Sequence, residues 1–545
     1  MRLKEYNTNQ KLRGAYYTPK NLAKVMVEIS NVGNAKSILE PSCGDGVFIE
    51  ALGECACLRN DAHIDAVEID EVALRKARGV QCGEITVSYK QCDFFEFYEE
   101  AKPGSYDLVI GNPPYIRYQY LEPEQRTLLA DILNRQGMRA NKLVNAWVGF
   151  MVACTDLLSE GGTLSFVIPA EILQVVYAED LRRFLARHYS NITLFAFSKL
   201  VFDDIEQEIV VFVGEKGSGQ SAIRVIEADR VEDLAGRSFD EIEYQPFVAF
   251  DEKWTRYFID ACDARVLNAL YGDERLVPFS DIALINVGVT TGNNSFFSLT
   301  DETSAAYELD DLTLPLIGRS SHASGVFFTN EDWEQNRNQG KRARLLALED
   351  GQYASMTKAQ RAYIDEGKER GENEGYKCSI RNNWYAIPSI WIPDAFFLRR
   401  NNLYPKFVLN RCSAISTDTM HRIKFESGID PELAIIAYYN SIAFAFTELC
   451  GRSYGGGVLE ILPKEVGNIR VLNPKQLTID EALKSDAISK VDDVIRSGKS
   501  IELALDYIDR TILIDHMGFD EETCKGCRRI WRTLQARRLG RGSRW

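Results

Sequence analysis

Short apolar runs alternate with amphipathic stretches along about the first 215 residues of the chain. The apolar runs have the length of buried strands, and the stretches between them carry apolar residues at helical spacing. This alternation predicts an α/β, doubly wound domain in which helices cover both faces of a parallel sheet. The predicted strands are Ser37–Glu40, Ile64–Glu68, Asp107–Ile110, Thr163–Ile168, Ile192–Phe197 and Glu208–Val213, and two predicted helices are Glu71–Arg78 and Trp147–Leu158.

Glycines and carboxylates follow the first predicted strand. It continues into Pro41-Ser42-Cys43-Gly44-Asp45-Gly46, and a helix is predicted from about Val47. Ligands of such sheets bind beyond the carboxyl ends of the strands, and glycines let the backbone approach them closely. The spacing is neither that of the GxGxxG dinucleotide motif nor that of a P-loop. Because Glu40 and Asp45 would repel a pyrophosphate, they favour a zwitterionic or cationic ligand.

Two further carboxylates lie at the ends of the next strands. Glu68 comes 22 positions after Gly46, close to the spacing of a carboxylate that binds ribose hydroxyls. Asp93 and Phe94 follow a third strand, where the acid could accept from an adenine amino group and the ring could pack on the base. Any one of these acids could be a solvated loop residue. Three at successive strand ends, beside a glycine turn, indicate a site for an adenosine-containing, positively charged cofactor.

The sequence Asn112-Pro113-Pro114-Tyr115 follows the buried strand Asp107–Ile110. Two consecutive prolines fix φ and donate no N–H, so that backbone carbonyls are left to point outward. The asparagine side chain adds a carbonyl acceptor, and the tyrosine adds a flat ring. Two acceptors beside a ring can hold a planar group that carries an NH2. Adenine, cytosine and a glutamine amide all fit this description.

Length and composition indicate a multidomain globular protein. The 545 residues predict two or three domains, and the hydrophobic content of 45% is ordinary. No stretch has the length of a membrane helix, the N-terminus is no signal peptide, and the 12 cysteines are scattered, so that we expect reduced thiols and a cytoplasmic location. The net charge of −15 argues against a general nucleic-acid binder but says nothing about how the charge is distributed.

The chain resembles the gamma-class N6-adenine DNA methyltransferases of type II restriction–modification systems over nearly its whole length. The matching stretches of the first half, which occur in the order of that family, are Gly14-Ala15-Tyr16-Tyr17-Thr18-Pro19, Glu40-Pro41-Ser42-Cys43-Gly44-Asp45-Gly46, Val67-Glu68-Ile69-Asp70, Asp93-Phe94-Phe95 and Asn112-Pro113-Pro114-Tyr115. The second half resembles the recognition domains of the family in residues 287–294, 416–419 and 451–457. The Asn-Pro-Pro-Tyr motif alone also occurs in glutamine methyltransferases of release factors, whereas the ordered set is specific.

The resemblance implies a Rossmann-like AdoMet-dependent methyltransferase domain over residues 1–245 and an α+β target recognition domain over residues 246–545. It implies that S-adenosyl-L-methionine is the cofactor and that double-stranded DNA is the substrate. A separate cognate restriction endonuclease is a possible partner in a bacterial or archaeal cytoplasm, and no membrane is expected.

The resemblance also implies a role for individual residues. The cofactor would be bound by Thr18, Glu40, Cys43, Gly44, Gly46, Glu68, Ile69, Asp93, Phe94 and Asn112, and the catalytic set would be Asn112, Pro113, Pro114, Tyr115 and Phe202. Thr18 would lie over the methionine end of the cofactor, while Glu68 would hold its ribose. Asn112 and Pro113 would accept from the target amine, and Tyr115 would stack on the extruded base with Phe202 as a second ring.

Three features near the C-terminus have more than one interpretation. Cationic residues with no acid among them end the chain, and they could grip phosphates or form a disordered end. They are Lys525, Arg528, Arg529, Arg532, Arg537, Arg538, Arg541 and Arg544. Cys524 and Cys527 form a CxxC pair, but zinc needs four ligands, so that two ordinary thiols and no metal site are expected. Residues 452–457, with three consecutive glycines, could be a plain loop, although the resemblance favours a backbone that approaches DNA closely.

Together these features predict a DNA adenine-N6 methyltransferase that flips its target base. N4-cytosine methylation is the alternative within the same fold, because the acceptor pocket needs only an amine. Protein-glutamine methylation would leave about 300 residues without a role. A DNA-binding module with an inactive catalytic domain is the alternative of a different class, and the intact Asn112 and glycine turn argue against it.

Overall fold

The computed structural model describes residues 17–139, 144–199, 201–202, 208–247 and 253–542. The chain divides into two compact units, Met1–Ala261 and Cys262–Trp545. The boundary that we predict between residues 245 and 246 falls within Gln245–Pro246, the last strand of the first unit.

A nine-stranded sheet forms the first unit, in the order β3-β2-β1-β4-β5-β7-β6-β8-β9. Its strands are β1 (Ser37–Glu40), β2 (His63–Glu68), β3 (Thr86–Gln91), β4 (Tyr106–Gly111), β5 (Leu158–Pro169), β6 (Tyr189–Phe197), β7 (Ile209–Lys216), β8 (Ala222–Ala228) and β9 (Gln245–Pro246). Its α-helices are α1 (Lys20–Ile29), α2 (Val47–Gly53), α3 (Glu71–Ala77), α4 (Phe94–Glu100), α5 (Pro123–Arg135), α6 (Ala146–Leu157) and α7 (Glu179–His188). This confirms the predicted α/β class.

The sheet is mixed rather than wholly parallel. Strands β1 to β5 are parallel to one another, but β7 is antiparallel to both β5 and β6. The prediction of a parallel sheet is therefore wrong for β7. Eleven residues separate the end of β6 from the start of β7, and a parallel crossover usually needs a dozen or more, most often with a helix.

The central strands form from the apolar runs because both faces of the sheet are covered. The last four residues of β4 and the last six of β5 are buried, as expected of strands that lie between two helical layers. On one face, Met26 of α1 and Phe48 of α2 pack in one apolar cluster with Ile38, Ile64 and Leu108 of the sheet. This packing fixes the strands whose carboxyl ends carry the predicted site.

The second unit contains small sheets and helices, in keeping with the predicted α+β class. Its strands are β10 (Leu276–Pro278), β11 (Ala283–Val287), β12 (Ser298–Leu299), β13 (Thr313–Ile317), β14 (Phe327–Phe328), β15 (Arg344–Leu346), β16 (Ala395–Leu398), β17 (Arg400–Asn401), β18 (Phe407–Asn410), β19 (Ile415–Ser416), β20 (Met420–Phe425), β21 (Arg452–Tyr454), β22 (Val458–Glu460) and β23 (Arg470–Leu472). The largest sheet has the order β11-β20-β16-β18-β14, and a three-stranded sheet has the order β17-β22-β21.

The α-helices of this part of the chain extend as far as Gly542. They are α8 (Ala261–Tyr271), α9 (Asn294–Phe297), α10 (Asp301–Ala306), α11 (Asn330–Asn338), α12 (Lys358–Glu369), α13 (Tyr376–Ser379), α14 (Pro431–Tyr438), α15 (Ser441–Cys450), α16 (Pro463–Asn468), α17 (Glu481–Arg496), α18 (Glu502–Ile508) and α19 (Glu521–Gly542). Within the described ranges, no single helix is both long and apolar enough to cross a membrane, although α14 and α15 meet these criteria as a pair bent by 78°.

Candidate functional site

The carboxyl ends of β2, β1 and β4 lie side by side and bring three of the predicted stretches together. The Gly44 amide donates to Oε2 of Glu68 over 2.9 Å, so that the glycine turn after β1 contacts the acid at the end of β2. The Ser42 hydroxyl donates to the carbonyl of Asn112 over 3.2 Å, which joins the same turn to the loop after β4. The glycine turn, Glu68 and Asn112 thus form one cluster at the sheet edge.

Gly44 and Gly46 give the turn its shape. Their φ angles are +53° and +90°, which side chains of L-residues rarely allow. A Cβ on Gly46 would lie 3.0 Å from Cα of Ala77, so that a side chain here would push α2 away from α3. Cys43, in the same turn, is buried, and burial raises the pKa of its thiol. Cys43 therefore stays protonated and fills space beneath the turn.

Glu40, at the end of β1, is a buried carboxyl group that is only 1% exposed. Among the residues that the structure describes, none donates a hydrogen bond to its Oε2 atom. Burial raises the pKa of Glu40 well above its usual value, and the charges of Glu68 and Asp45 raise it further. A buried carboxylate without a counter-charge is costly. This position therefore suits a cationic group of a ligand.

Glu68 accepts backbone hydrogen bonds with both of its oxygens. Oε2 accepts from Gly44, and Oε1 accepts from the Asp70 amide over 2.8 Å. Each oxygen of a carboxylate has a second lone pair, so that Glu68 can still accept from a pair of hydroxyls. The next side chain, Ile69, is 60% exposed, and Val72 is also exposed. The end of β2 therefore presents a carboxylate beside apolar surface, which suits a nucleoside.

Tyr17 lies over the glycine turn, although we predicted no role for it. A Cβ on Gly44 would lie 3.7 Å from the Tyr17 ring. Burial raises the pKa of the Tyr17 hydroxyl, and the nearby charges of Asp45, Asp70 and Glu68 raise it further. The available signal was its place in the stretch from Gly14 to Pro19, of which residues 14–16 lie outside the described residues.

The Asn112 side chain is oriented by Thr18. Its amide nitrogen donates to the Thr18 hydroxyl oxygen over 3.1 Å, although the two residues are far apart in the chain. Because the nitrogen is directed at Thr18, the side-chain oxygen is directed away from it. Pro113 is buried, while Pro114 and Tyr115 are half-buried, and Tyr115 packs against the apolar core cluster of the sheet. The structure thus brings the predicted acceptors and the ring into one loop.

Asp93 and Phe94, which follow β3, already have partners within the protein. Asp93 caps α4, because its Oδ1 accepts from the Phe95 amide over 2.8 Å, and its Oδ2 accepts from Gln125 over 2.6 Å. Phe94 is 4% exposed, and its ring stacks on Phe150 with centroids 4.4 Å apart. One face of the Phe94 ring is therefore covered by protein. The adenine-binding roles of Asp93 and Phe94 stay predictions.

Phe202 is 6% exposed and belongs to the apolar core cluster of the first unit. Its neighbours in that cluster include Ile209 and Val211 of β7. Leu200 and Asp203, which flank it in the predicted motif, lie outside the described residues. Its role as a second stacking ring stays a prediction that its burial does not favour.

In the second unit, two of the stretches that resemble recognition domains lie against each other. The Val289 amide donates to the carbonyl of Ser416 over 2.7 Å. Arg381 also binds the first of these stretches, because it donates to the carbonyl of Thr291 over 2.8 Å. These contacts bring residues that are distant in sequence together inside the second unit, where Val289, Thr291 and Ser416 are buried.

The basic end of the chain is a helix whose arginines form internal ion pairs. The pairs Arg528–Asp509, Arg529–Asp263 and Arg538–Glu448 have distances of 2.9, 2.7 and 2.8 Å. A disordered end is therefore wrong for these arginines, and their ion pairs do not favour a direct grip on phosphates. Arg544 lies outside the described residues. Cys524 and Cys527 are buried in the same helix, and burial raises the pKa of both thiols, to about 12 for Cys524.

Two family models match the chain. Residues 61–202 match the Eco57I restriction-modification methylase model, and residues 251–513 match the model of the C-terminal domain of the type II methyltransferase M.Eco57I. Together they cover most of both units.

Individual relatives and one solved structure agree with these matches. The type II methyltransferase M.AccI of Acinetobacter calcoaceticus is 24% identical over 84% of this chain and 85% of its own length. M.HindII of Haemophilus influenzae is 26% identical over 58% of this chain and 60% of its own length. The type IIL restriction-modification enzyme MmeI, solved with DNA, has the same fold at 12% identity, with a TM-score of 0.54 over 95% of this chain and 75% of that one. The chain belongs to the type II methyltransferases of restriction–modification systems.

Proposed function

We propose that this protein transfers the methyl group of S-adenosyl-L-methionine to N6 of an adenine that is extruded from duplex DNA. The observation that carries the proposal is that a buried carboxyl group and an oriented amide both lie at the carboxyl ends of neighbouring strands, β1 and β4. Glu40 lies in the described part of the chain without a donor to Oε2, and Asn112 is held by Thr18. The first suits a cationic cofactor, and the second suits an amine.

The residues at the sheet edge fit the cofactor. Glu40 would hold its ammonium group, and residues 43–46 would line its amino-acid part. Glu68 would accept from the ribose hydroxyls, and the exposed Ile69 side chain would cover the base, with Asp93 accepting from the adenine amino group. When bound, S-adenosyl-L-methionine supplies an electrophilic methyl group on a sulfonium. The carboxylates of the cluster stabilise positive charge at this edge.

The loop after β4 would activate the target amine. The N6 amine of adenine is a weak nucleophile, because its lone pair is delocalised into the ring. Hydrogen bonds from the amine to the Asn112 side-chain oxygen and the Pro113 carbonyl would draw it toward tetrahedral geometry and free the lone pair. Acceptors that are in place before the substrate arrives lower the barrier by positioning. The Thr18 contact supplies this preorganisation for Asn112.

The reaction needs no strong general base. The amine nitrogen gains the methyl group and loses one proton, and it becomes acidic only as the new bond forms. That proton can pass through the oxygen acceptors to water. This agrees with a loop built from an asparagine, two prolines and a tyrosine rather than from histidine or lysine.

Methylation of a duplex base requires that the base leave the stack, which costs a few kcal/mol. Stacking on an aromatic ring returns roughly 1–3 kcal/mol per base. Tyr115 would provide that ring, because it lies in the same loop as the two acceptors. Recognition of the site would belong to the second unit, whose stretches at 287–294 and 416–419 lie together. A separate restriction endonuclease would be the partner in the cell.

Sequencing of modified bases in DNA from bacteria that express the chain tests the proposal. We expect N6-methyladenine at one recurrent sequence, and none in cells that express Asn112→Ala at the same level. N4-methylcytosine at a recurrent sequence would establish the alternative, because the acceptors require only an amine. Unmodified DNA together with methylated protein would overturn the proposal.

A further inference from the structure

We propose that Arg538 of α19 is a positioning residue that holds the glycine turn Gly455–Gly457, together with the neighbouring residues 402–403, in the shape that receives the DNA backbone. The inference rests on the proposed function, because it assumes that this part of the second unit contacts DNA. It assigns the terminal helix a role that differs from direct binding of phosphate.

Arg538 joins three separate segments of the unit. It is 2% exposed, and its guanidinium binds the carboxylate of Glu448 with two hydrogen bonds of 3.2 and 2.8 Å. Its Nη1 atom also donates to the carbonyl of Asn402 over 2.6 Å and to the carbonyl of Gly457. A planar guanidinium can serve a carboxylate and two carbonyls at once, whereas the point charge of a lysine cannot.

The glycine turn is packed directly against the helix. Gly457 has a φ of +72°, and a Cβ at this position would lie 3.3 Å from Cα of Leu539 and 3.4 Å from the carbonyl oxygen of Arg538. Gln535, one turn earlier in α19, donates to the carbonyl of Leu403. The helix therefore contacts the backbone of both loops and fixes their spacing.

The loops held in this way belong to a three-stranded sheet with exposed cationic groups. Arg400 on β17 is mostly exposed, and its partner Glu460 on β22 is also bound by Arg399. Gly456, next to the packed glycine, is exposed and has open space where a side chain would be. A sheet that carries both an exposed arginine and exposed backbone is a suitable surface for phosphates. The position of the turn then decides whether the backbone can reach the DNA.

The ion pairs of the helix favour this indirect role. Arg528 and Arg529 are bound by aspartates of the same unit, so that their charge is largely neutralised. The helix also lies beyond residues 251–513, which match the family model. The glycine turn lies within the matched region, whereas α19 lies outside it. Through Arg538, α19 would adjust the position of a turn that lies in the matched region.

The test compares Arg538→Lys with Arg528→Lys in the full-length chain. Both replace an ion-paired arginine of α19 by lysine, but Arg528 contacts Ser441, Asp506 and Asp509 rather than the glycine turn. We would measure binding of a fluorescent duplex of random sequence, calorimetric affinity for S-adenosyl-L-methionine, and the KM and kcat for unmethylated plasmid DNA. Arg538→Lys is expected to weaken duplex binding and raise the DNA KM at least tenfold. Its kcat and cofactor affinity should stay within twofold of the wild type, as should all four values of Arg528→Lys.

A second pair of variants covers the case in which Arg538→Lys does not fold. Gly457→Ala and Gly428→Ala both place a side chain at a positive φ, but only the first would contact α19, since the space around Gly428 is open. Gly457→Ala alone should weaken duplex binding at least fivefold. Equal losses in both members of either pair would overturn the inference while leaving the proposed function intact. The variants could rank as expected in duplex binding while the wild type transfers no methyl group to DNA. That result would retain the inference and refute the proposed function.

Discussion

Buried acids in the two units of this protein lie in opposite electrostatic surroundings. Glu40, at the sheet edge of the first unit, has the acids Glu68 and Asp45 as its charged neighbours, and these raise its pKa in the same direction as burial does. Burial also raises the pKa of Glu448, which lies beside the terminal helix of the second unit, but the charge and hydrogen bonds of Arg538 oppose that shift. The first acid lacks a counter-charge in the described structure, and the second has one built in.

The difference separates two uses of a buried charge. A carboxylate that is bound by an arginine ties segments of the fold together, and removal of one partner strands the other. A buried carboxylate among other carboxylates destabilises the fold, because it adds charge repulsion and a desolvation cost. We interpret the acids at the sheet edge as part of a ligand site and those around α19 as structural. If this interpretation is correct, substitutions at the sheet edge should weaken cofactor binding, and substitutions around α19 should lower stability.

The largest effect is expected at Asn112. Asn112→Ala removes the side-chain acceptor for the amine, and the loss of one preorganised group of this kind costs about 10²–10³ in rate. We expect methyl transfer to fall at least that far while S-adenosyl-L-methionine still binds through the other residues of its site. Single-turnover transfer from labelled cofactor at saturating concentration measures this, with Thr18→Val as a milder variant that removes the orienting contact but leaves the acceptor. Transfer within tenfold of the wild type would refute the role of Asn112.

A large loss of stability, without loss of cofactor binding, is expected at Glu448. Glu448→Gln leaves Arg538 buried with no carboxylate partner, and breaking a buried pair in this way costs about 3–5 kcal/mol. Chemical unfolding followed by fluorescence would measure the loss. Affinity for S-adenosyl-L-methionine should stay unchanged in calorimetry. An equal loss of cofactor affinity would remove the distinction between structural and ligand-site acids.

Glu68 is expected to show the converse behaviour. Glu68→Gln keeps one oxygen for the Gly44 amide but removes the charge that ribose hydroxyls would meet. A hydrogen bond to a charged group contributes about 1.5–3 kcal/mol, so that cofactor affinity should fall by roughly that amount. The free energy of unfolding of the ligand-free protein should change by less, because it loses only the hydrogen bond from the Asp70 amide, which contributes about 1 kcal/mol. Unchanged affinity in calorimetry would reject the assignment of Glu68 to the ribose.

The smallest effect is a proton released on cofactor binding. Between the usual pKa of 4.5 and its raised pKa in the fold, Glu40 is protonated in the folded chain and ionised in the unfolded one. The stability of the ligand-free protein therefore falls as pH rises through that window. A cationic cofactor group would lower the pKa and expel up to about one proton. Binding heats in buffers of different ionisation enthalpy, from roughly pH 5 to 8, report this release, which should vanish in Glu40→Gln.

Much of the first unit follows from its sequence pattern. The predicted strand Ser37–Glu40 matches β1, and the predicted helix Glu71–Arg78 matches α3 to within one residue. These elements are predictable because burial of an apolar face decides them locally. The direction of β7 was not predictable from its apolar run, since the run is the same in either direction, and only the short connection before it signals the reversal.

The site was predictable in its residue types but not in its contacts. Spacing placed Glu40, Glu68 and Asn112 at strand ends, and the structure brings them together. The contact of Thr18 with Asn112 joins segments that are far apart in sequence, and no local pattern encodes it. The pairing of the C-terminal arginines was missed for the same reason. A run of cations looks solvent-exposed until the fold brings acids such as Asp263 and Glu448 beside it.

The most direct test of the account is to identify the nucleoside that receives the methyl group. Purified protein would be incubated with labelled S-adenosyl-L-methionine and unmethylated plasmid DNA, and the DNA would be digested to nucleosides and separated. We expect label in N6-methyldeoxyadenosine, none with Asn112→Ala, and none in protein. Label in N4-methyldeoxycytidine, or label in protein with unlabelled DNA, would contradict it.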